Sequence, residues 1–279
     1  MERNLATQAG WIATAATAAR RAGAAILEVY GTEFTVEQKE DRSPLTEADK
    51  RSTGIIERCL AGTGLPILSE EGRQTPYDER SGWEWYWLVD PLDGTKEFVK
   101  RNGEFTVNIA LMHADTAVGG LVYVPVTGTL YVAMAGLGAY RKLVPPADDA
   151  GPCTWESLTD GAERLPMPLG DRSFTAVASR SHMSPETEAY VEKLRERSGD
   201  VALVSRGSSL KLCLLAEGAA DIYPRFAPTM EWDTAAGHAI VKEAGGNVYR
   251  VNETDELVYN KPDLVNPWFV AKRCVQEES

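Results

Sequence analysis

Histidine is nearly absent, at three in 279 residues, so a transition-metal centre built on imidazole is implausible. Cysteine is almost as scarce. Cys59, Cys153, Cys213 and Cys274 lie far apart, no two with the spacing of zinc ligands, and they read as four reduced thiols. Long apolar runs are missing too: no stretch of about 18 apolar residues occurs, which leaves no candidate membrane span. Met1-Glu2-Arg3-Asn4 leads straight into an Ala-rich helix that contains Arg20 and Arg21, which is not the order of a signal peptide. A cytoplasmic enzyme is the expectation, with loose attachment to the cytoplasmic face of a membrane left open. Positive charge is in deficit: 29 Lys and Arg against 41 Asp and Glu give a formal net charge of −12. Such a surface argues against binding a nucleic-acid polymer. It still admits a small phosphorylated ligand, provided that bound metal or a local cluster of Lys and Arg meets it.

What the chain has instead is carboxylate, and oxygen ligands suit Mg²⁺, Mn²⁺ or Ca²⁺. The apolar fraction of 43% is enough to bury a sizeable core. Leu5, Ile12, Ala16, Ala19, Ile26 and Val29 recur at helical spacing and predict a helix over 5–30, ended at Gly31. Alternation predicts a strand over 33–38. Thr46 with Asp49 three residues on resembles a capping box and starts a helix over 46–61. The stretches 83–89, 106–113, 117–124 and 129–134 read as strands with Gly and Pro turns.

Residues 143–171 change character, collecting Pro145-Pro146, Asp148-Asp149 and Gly151-Pro152. They read as a long connection between an N-terminal α+β domain (1–145) and a C-terminal α/β domain (146–279). An excursion within one domain is the alternative. After it, strands at 174–179, 201–204, 221–225, 247–251 and 268–272 alternate with helices at 184–197, 208–217 and 232–244. That order predicts an α/β layered arrangement.

The chemistry concentrates in Trp87-Leu88-Val89-Asp90-Pro91-Leu92-Asp93-Gly94-Thr95-Lys96-Glu97-Phe98. An apolar strand runs into Asp90, Pro91 ends it, and Asp93-Gly94-Thr95 opens a short helix. Two carboxylates three residues apart stand where a helix N-terminus offers unpaired N–H groups. They can hold cations while the helix end holds a phosphate. Taken alone, the pair reads as well as a turn residue and a helix cap. By the same standard Ser69-Glu70-Glu71-Gly72 is a solvated turn, and Glu231-Trp232-Asp233-Thr234 opens a helix with Asp233 as an ordinary cap.

Together they are not ordinary. The ordered set Asp49, Glu70-Glu71, Asp90-Pro91-Leu92-Asp93-Gly94-Thr95, and Trp232-Asp233 with eleven residues before Gly245-Gly246, resembles the signature of the lithium-sensitive, Mg²⁺-dependent phosphatases of the inositol monophosphatase superfamily. The continuation Arg101-Asn102-Gly103-Glu104-Phe105-Thr106-Val107-Asn108-Ile109-Ala110-Leu111 resembles the bacterial CysQ-type 3′(2′),5′-bisphosphate nucleotidases within it. So do Ser179-Arg180-Ser181-His182, Gly207-Ser208-Ser209-Leu210-Lys211 and Tyr223-Pro224-Arg225-Phe226.

The resemblance implies an α+β/α/β fold, a layered αβαβα sandwich of the inositol monophosphatase and sugar phosphatase type, with the site between the halves. It implies one Mg²⁺ held by Glu70, Asp90 and the Leu92 carbonyl, a second held by Asp90, Asp93 and Asp233, and room for a weaker third. It places Thr95, with Asp49 behind it, on the attacking water, and Glu71 one shell further out. It assigns the Gly94 and Thr95 N–H groups to the phosphoryl oxygens, and Arg180, His182, Ser208, Lys211 and Arg225 to the substrate. The implied reaction removes the 3′-phosphate of 3′-phosphoadenosine 5′-phosphate. An inositol or sugar phosphate phosphatase and a catalytically silent nucleotide- or metal-binding protein are the alternatives. A monomer fits the sequence, which sets no oligomeric state.

Overall fold

Alanine builds the first layer. Asn4 caps α1 (Leu5–Tyr30) by accepting from Thr7 N at 2.9 Å, and the helix buries a row of alanines with Ile12 and Ile26. The computed structural model describes residues 4–38, 44–73, 75–168, 170, 172–179, 184–252 and 254–273. After α1 come β1 (Glu37–Gln38), β2 (Pro44–Leu45), α2 (Glu47–Ala61), β3 (Ile67–Ser69), α3 (Tyr77–Arg80), β4 (Trp85–Asp93) and α4 (Thr95–Val99). Then follow β5 (Thr106–His113), β6 (Thr116–Val124), β7 (Thr129–Met134), β8 (Gly138–Leu143), α5 (Trp155–Thr159) and β9 (Glu163–Leu165). The rest is β10 (Phe174–Ser179), α6 (Pro185–Ser198), β11 (Val201–Arg206), α7 (Leu210–Glu217), β12 (Ile222–Arg225), α8 (Glu231–Glu243), β13 (Asn247–Arg250) and β14 (Phe269–Lys272).

Strands β3 to β9 form one sheet in sequence order, antiparallel except for the β3–β4 pair. The second sheet runs β11-β10-β12-β14-β13, parallel on its β11-β10-β12 side. Helices α1 and α2 cover one face of the first sheet, over Trp87, Val89, Ile109 and Leu121. Helices α7 and α8 fill the space between the sheets, against Leu88, Ala110 and Val122 on one side and Val177, Tyr223 and Phe269 on the other. Helix α6 lies on the outside of the second sheet, over Ala176, Ile222 and Val270. The layers therefore run αβαβα, as the family resemblance implies. Helix α8 sits close on the first sheet because Gly120 has no side chain: a Cβ there would come within 2.6 Å of the Ala236 carbonyl oxygen. Among the described residues, no helix is long and apolar enough to cross a membrane.

Three expectations need correction. The strand expected over 33–38 is confined to Glu37–Gln38, both exposed. Pro91 does not end β4, which continues to Asp93 across an irregularity in its pairing with β5. The change of sheet does not fall at 145. Helix α5 packs on α1, and β9 pairs with β8, so the first sheet keeps the chain to Leu165. The turn-forming residues there mark a surface excursion of the first sheet. Strands β8 and β9 escape the sequence pattern because polar residues such as Arg141, Lys142, Glu163 and Arg164 fill them.

Behind α8, Glu256 is gripped by the His238 ring nitrogen, Lys242 and Asn247, which hold its carboxyl at about 2, below the usual 4.5. A depressed carboxyl stabilises the fold above its unfolded pKa and loses that contribution as pH falls toward its folded one. Glu256→Gln is therefore expected to lower the melting temperature at pH 7, and the deficit against the parent should shrink below about pH 4.5. Melting curves of both proteins between pH 7 and pH 3 check this. A deficit constant across that range contradicts it.

Candidate active site

Side chains alternate across a strand, so residues three apart normally face opposite ways. Asp90 and Asp93 escape this rule through the irregularity in β4. Asp90 pairs with Asn108 and Asp93 with Thr106, so one extra residue is accommodated on the β4 side, as in a β-bulge. Leu92, not Pro91, continues the face begun by Trp87 and Val89, and both aspartates turn toward α8. The Ser52 hydroxyl of α2 donates to the Pro91 carbonyl at 2.7 Å and holds the bulge from behind.

Helix α8 supplies the third carboxylate. Asp233 accepts from the Met230 N–H at 2.8 Å in the first helical turn. One oxygen each from Asp90, Asp93 and Asp233 lie within 4.8 Å of one another. Burial pushes the Asp90 carboxyl well above the ordinary range, with Glu70, Asp93 and Asp233 adding to the effect. Burial raises Asp233 as well, with Asp93 adding to it. Both shifts mark a cluster with more negative charge than its surroundings tolerate alone. The donors are all carboxylate oxygens, and no His or Cys joins them among the described residues. Such a set fits a hard divalent cation of the Mg²⁺ class.

Hydrogen bonds aim these groups. Asp93 Oδ2 accepts from Asn108 Nδ2 at 3.0 Å, Ser208 Oγ at 2.7 Å and Ser209 Oγ at 2.8 Å. The two serines come from the turn before α7, so the second half of the chain is tied to a carboxylate of the first. Asp49 accepts from the Thr46 N–H at 2.7 Å and closes the capping box of α2; its other oxygen accepts from Thr95 Oγ1 at 3.3 Å. The Leu92 carbonyl lies 3.3 Å from the same Thr95 hydroxyl, which has one proton to share between them. Gly94 turns the chain into α4 at φ +89°, and a Cβ there would stand 3.2 Å from the Ser208 Cβ. Glycine is thus required for conformation and for the close approach of the two halves.

A cleft of about 530 Å³ opens over this cluster. Glu70, Asp90, Asp93, Thr95 and Asp233 line it together with Lys211, Tyr223 and Arg225. Lys211 is buried, its ammonium lies 5.6 Å from the centre of the Tyr223 ring, and it donates to the Ser208 carbonyl. Burial pushes its pKa down to about 8, against the pull of Asp93. Arg225, 8% exposed, spends Nη2 on the Pro228 carbonyl at 3.1 Å, while its buried Nε has no partner among the described residues.

Residues 8–276 match the inositol monophosphatase family. This chain belongs to that family. It is 44% identical over 236 residues to the 3′(2′),5′-bisphosphate nucleotidase CysQ of Shigella flexneri, covering 83% of this chain and 87% of that one. The CysQ nucleotidase of Escherichia coli K12 is 43% identical over 235 residues, with the same coverage. Among solved structures, CysQ of Bacteroides thetaiotaomicron, described as a bacterial member of the inositol monophosphatase family, superposes with a TM-score of 0.86. It is 49% identical, over 94% of this chain and 96% of that one. The suhB protein of Bartonella henselae, at 24% identity over 93% and 92% and a TM-score of 0.69, shares the fold.

The expected site residues of this family member fall into four groups. Asp90, Asp93 and Asp233 meet as one cluster. Glu70, Gly94, Thr95, Ser208, Lys211 and Arg225 line the same cleft, with Glu70 outside the closest set. Asp49 lies buried behind Thr95, and Glu71 is not on the cleft wall. Arg180 and His182 lie outside the described residues. Sequence reasoning missed Asn108 and Ser209 as residues that hold the cluster. The signal was there for Asn108: a lone amide between Val107 and Ile109 in an apolar strand needs a partner once buried.

Proposed function

We propose that this chain is a Mg²⁺-dependent 3′(2′),5′-bisphosphate nucleotidase that hydrolyses 3′-phosphoadenosine 5′-phosphate to AMP and phosphate. The observation that carries this reading is the pairing, in one cleft, of the Asp90–Asp93–Asp233 cluster with two buried cations, Lys211 and Arg225. A substrate with two phosphates needs a metal-ready acidic end and a separate cationic end. The names of the CysQ relatives support the same choice.

In this reading Glu70, Asp90 and the Leu92 carbonyl would hold one Mg²⁺, and Asp90, Asp93 and Asp233 would hold a second, with a third ion held more weakly. Bound cations would supply positive charge against the phosphate dianion. The chain's own residues do the rest. Thr95 orients the attacking water and passes its proton toward Asp49, which the capping box keeps in place behind it. The Gly94 and Thr95 N–H groups hold the phosphoryl oxygens. Water attacks phosphorus, the bond to the 3′-oxygen breaks, and that oxygen takes a proton from solvent to leave as the AMP hydroxyl, while the proton taken up by Asp49 is released to solvent. Lys211 and Arg225 hold the 5′-phosphate, which is not cleaved, and Ser208 orders the turn beside them. Arg180 and His182 remain assigned to the substrate, and Glu71 to a supporting place beyond the ligands.

A substrate panel with Arg225→Ala tests the reading. Losing a hydrogen bond to a charged group costs about 1.5–3 kcal/mol, which is roughly 10- to 150-fold. The variant is expected to lose that much kcat/KM on the bisphosphate nucleotide, and to keep slow hydrolysis of a small monophosphate within about threefold. Equal losses on both would mean that Arg225 supports the fold instead. A parent protein that prefers an inositol monophosphate over the nucleotide would overturn the substrate assignment.

A further inference from the structure

Glu231 is a buried carboxylate that the reaction above does not use. It opens α8, two residues before Asp233, and is wholly enclosed. Its Oε2 accepts from the Asn260 N–H at 2.6 Å, its Oε1 accepts from the Lys261 N–H at 3.0 Å, and the Lys261 ammonium pairs with it as well. The turn held in this way carries Asn260 at φ +55°, in the left-handed region that asparagine tolerates better than most residues.

The same turn is gripped from the opposite side. Arg80, buried at the end of α3, donates to Asn260 Oδ1 at 2.7 Å, to the Lys261 carbonyl at 2.7 Å and to the Pro262 carbonyl at 3.2 Å. Asn260 Nδ2 returns a bond to the Arg80 carbonyl at 2.8 Å. Arg80 also donates to the Thr75 carbonyl, on the segment that leads from Glu70 and Glu71 to α3. One turn therefore joins the chain after Glu70 to the start of the helix that carries Asp233. Burying this many charges brings a desolvation cost that pairing does little more than offset, so net stability is a weak account of the arrangement. It ties the first turn of α8 to residues 260–262, alongside the bonds of the Glu231 N–H to the Leu264 carbonyl and of Asn266 to the Met230 carbonyl.

We propose that Glu231, with Arg80 across the 260–262 turn, is a positioning residue that sets Asp233 against Asp90 and Asp93 and thereby sets the affinity of the cluster for a divalent cation. The inference rests on the cation-site reading above. The probe is Mn²⁺ alone, with no substrate, titrated into the full chain and followed by the electron paramagnetic resonance of the free ion. Glu231→Gln places an amide where two backbone N–H groups and an ammonium need acceptors. It is expected to weaken Mn²⁺ binding by about 10- to 100-fold, the usual effect of losing a partner behind a ligand. Arg80→Lys keeps the charge but loses the fork of donors. It is expected to weaken binding in the same direction, and it decides the matter if Glu231→Gln does not fold. A role confined to stability would lower the melting temperature without Mn²⁺ and leave the dissociation constant within a factor of two, and that result overturns the proposal. If the parent binds no Mn²⁺, the cation-site reading falls first. If the parent binds and folded variants bind equally well, the positioning role alone falls.

Discussion

Excess chelator is expected to abolish hydrolysis of the bisphosphate nucleotide by this protein, and added Mg²⁺ to restore it. The expectation follows from charge. Asp90, Asp93 and Asp233 crowd one oxygen each within 4.8 Å, Glu70 lies close enough to push Asp90 further, and a phosphate dianion must enter the same cleft. Two like charges about 4 Å apart repel by about 4 kcal/mol at an effective dielectric constant near 20. Several such pairs exceed what the two cations Lys211 and Arg225 can offset, and burial weakens the hold of Lys211 on its proton. The same cation should stabilise the folded chain. A ligand at a hundred times its dissociation constant adds about 2.7 kcal/mol, so Mg²⁺ should raise the melting temperature of the chelator-treated protein. Phosphate release and thermal unfolding, each with chelator and with excess Mg²⁺, are the measurements. Undiminished turnover in chelator, or a melting temperature indifferent to Mg²⁺, would remove the basis for a cation at this site.

Asp93→Asn is expected to lower turnover by at least about a hundredfold, the scale on which a key electrostatic element of an active site is felt, while the fold survives. Asp93 has two jobs on two oxygens. Oδ2 takes the donors of Asn108, Ser208 and Ser209. An asparagine that keeps its carbonyl toward those three donors preserves the link between the halves. Its NH₂ then points at Asp90 and Asp233, where a cation needs an acceptor. The opposite flip keeps an acceptor for the cation but sets donor against donor at the serines. Neither orientation serves both sides, so function is lost while shape is largely kept. Rates at saturating Mg²⁺, with melting temperature and circular dichroism beside them, check the prediction. Turnover within about threefold of the parent would mean that the site has been placed wrongly.

Local chemistry made much of this legible in advance. Helix α1 follows from its apolar spacing. The start of α2 follows from Thr46 and Asp49, whose capping box is present. The alternation of β10 to β14 with α6 to α8 follows from short apolar runs and helical segments separated by turn residues. The acidic residues of the cluster were legible as a motif, since a strand that runs into Asp-Pro-Leu-Asp-Gly-Thr is short-range information.

The extra residue at Pro91–Leu92 was not legible, because a bulge is a matter of pairing: it exists only relative to Asn108 and Thr106 on the neighbouring strand. Without it Asp90 and Asp93 would face opposite sides of the sheet. Nor could the chain alone say that Ser208 and Ser209 meet Asp93, that Asp49 serves Thr95 as well as its own helix, or that β9 stays with the first sheet. The place of Glu231 is of the same kind. In the sequence it is one more acidic residue beside Asp233; in the fold it is enclosed and held through residues 260–262 to Arg80. The sequence by itself determined which elements form and which residue types are available for chemistry, because periodicity, caps and turns act over a few residues. Only the tertiary structure decided which carboxylates share a face, which donors aim them and which buried charges hold them, because those depend on register and on contacts between residues far apart in the chain.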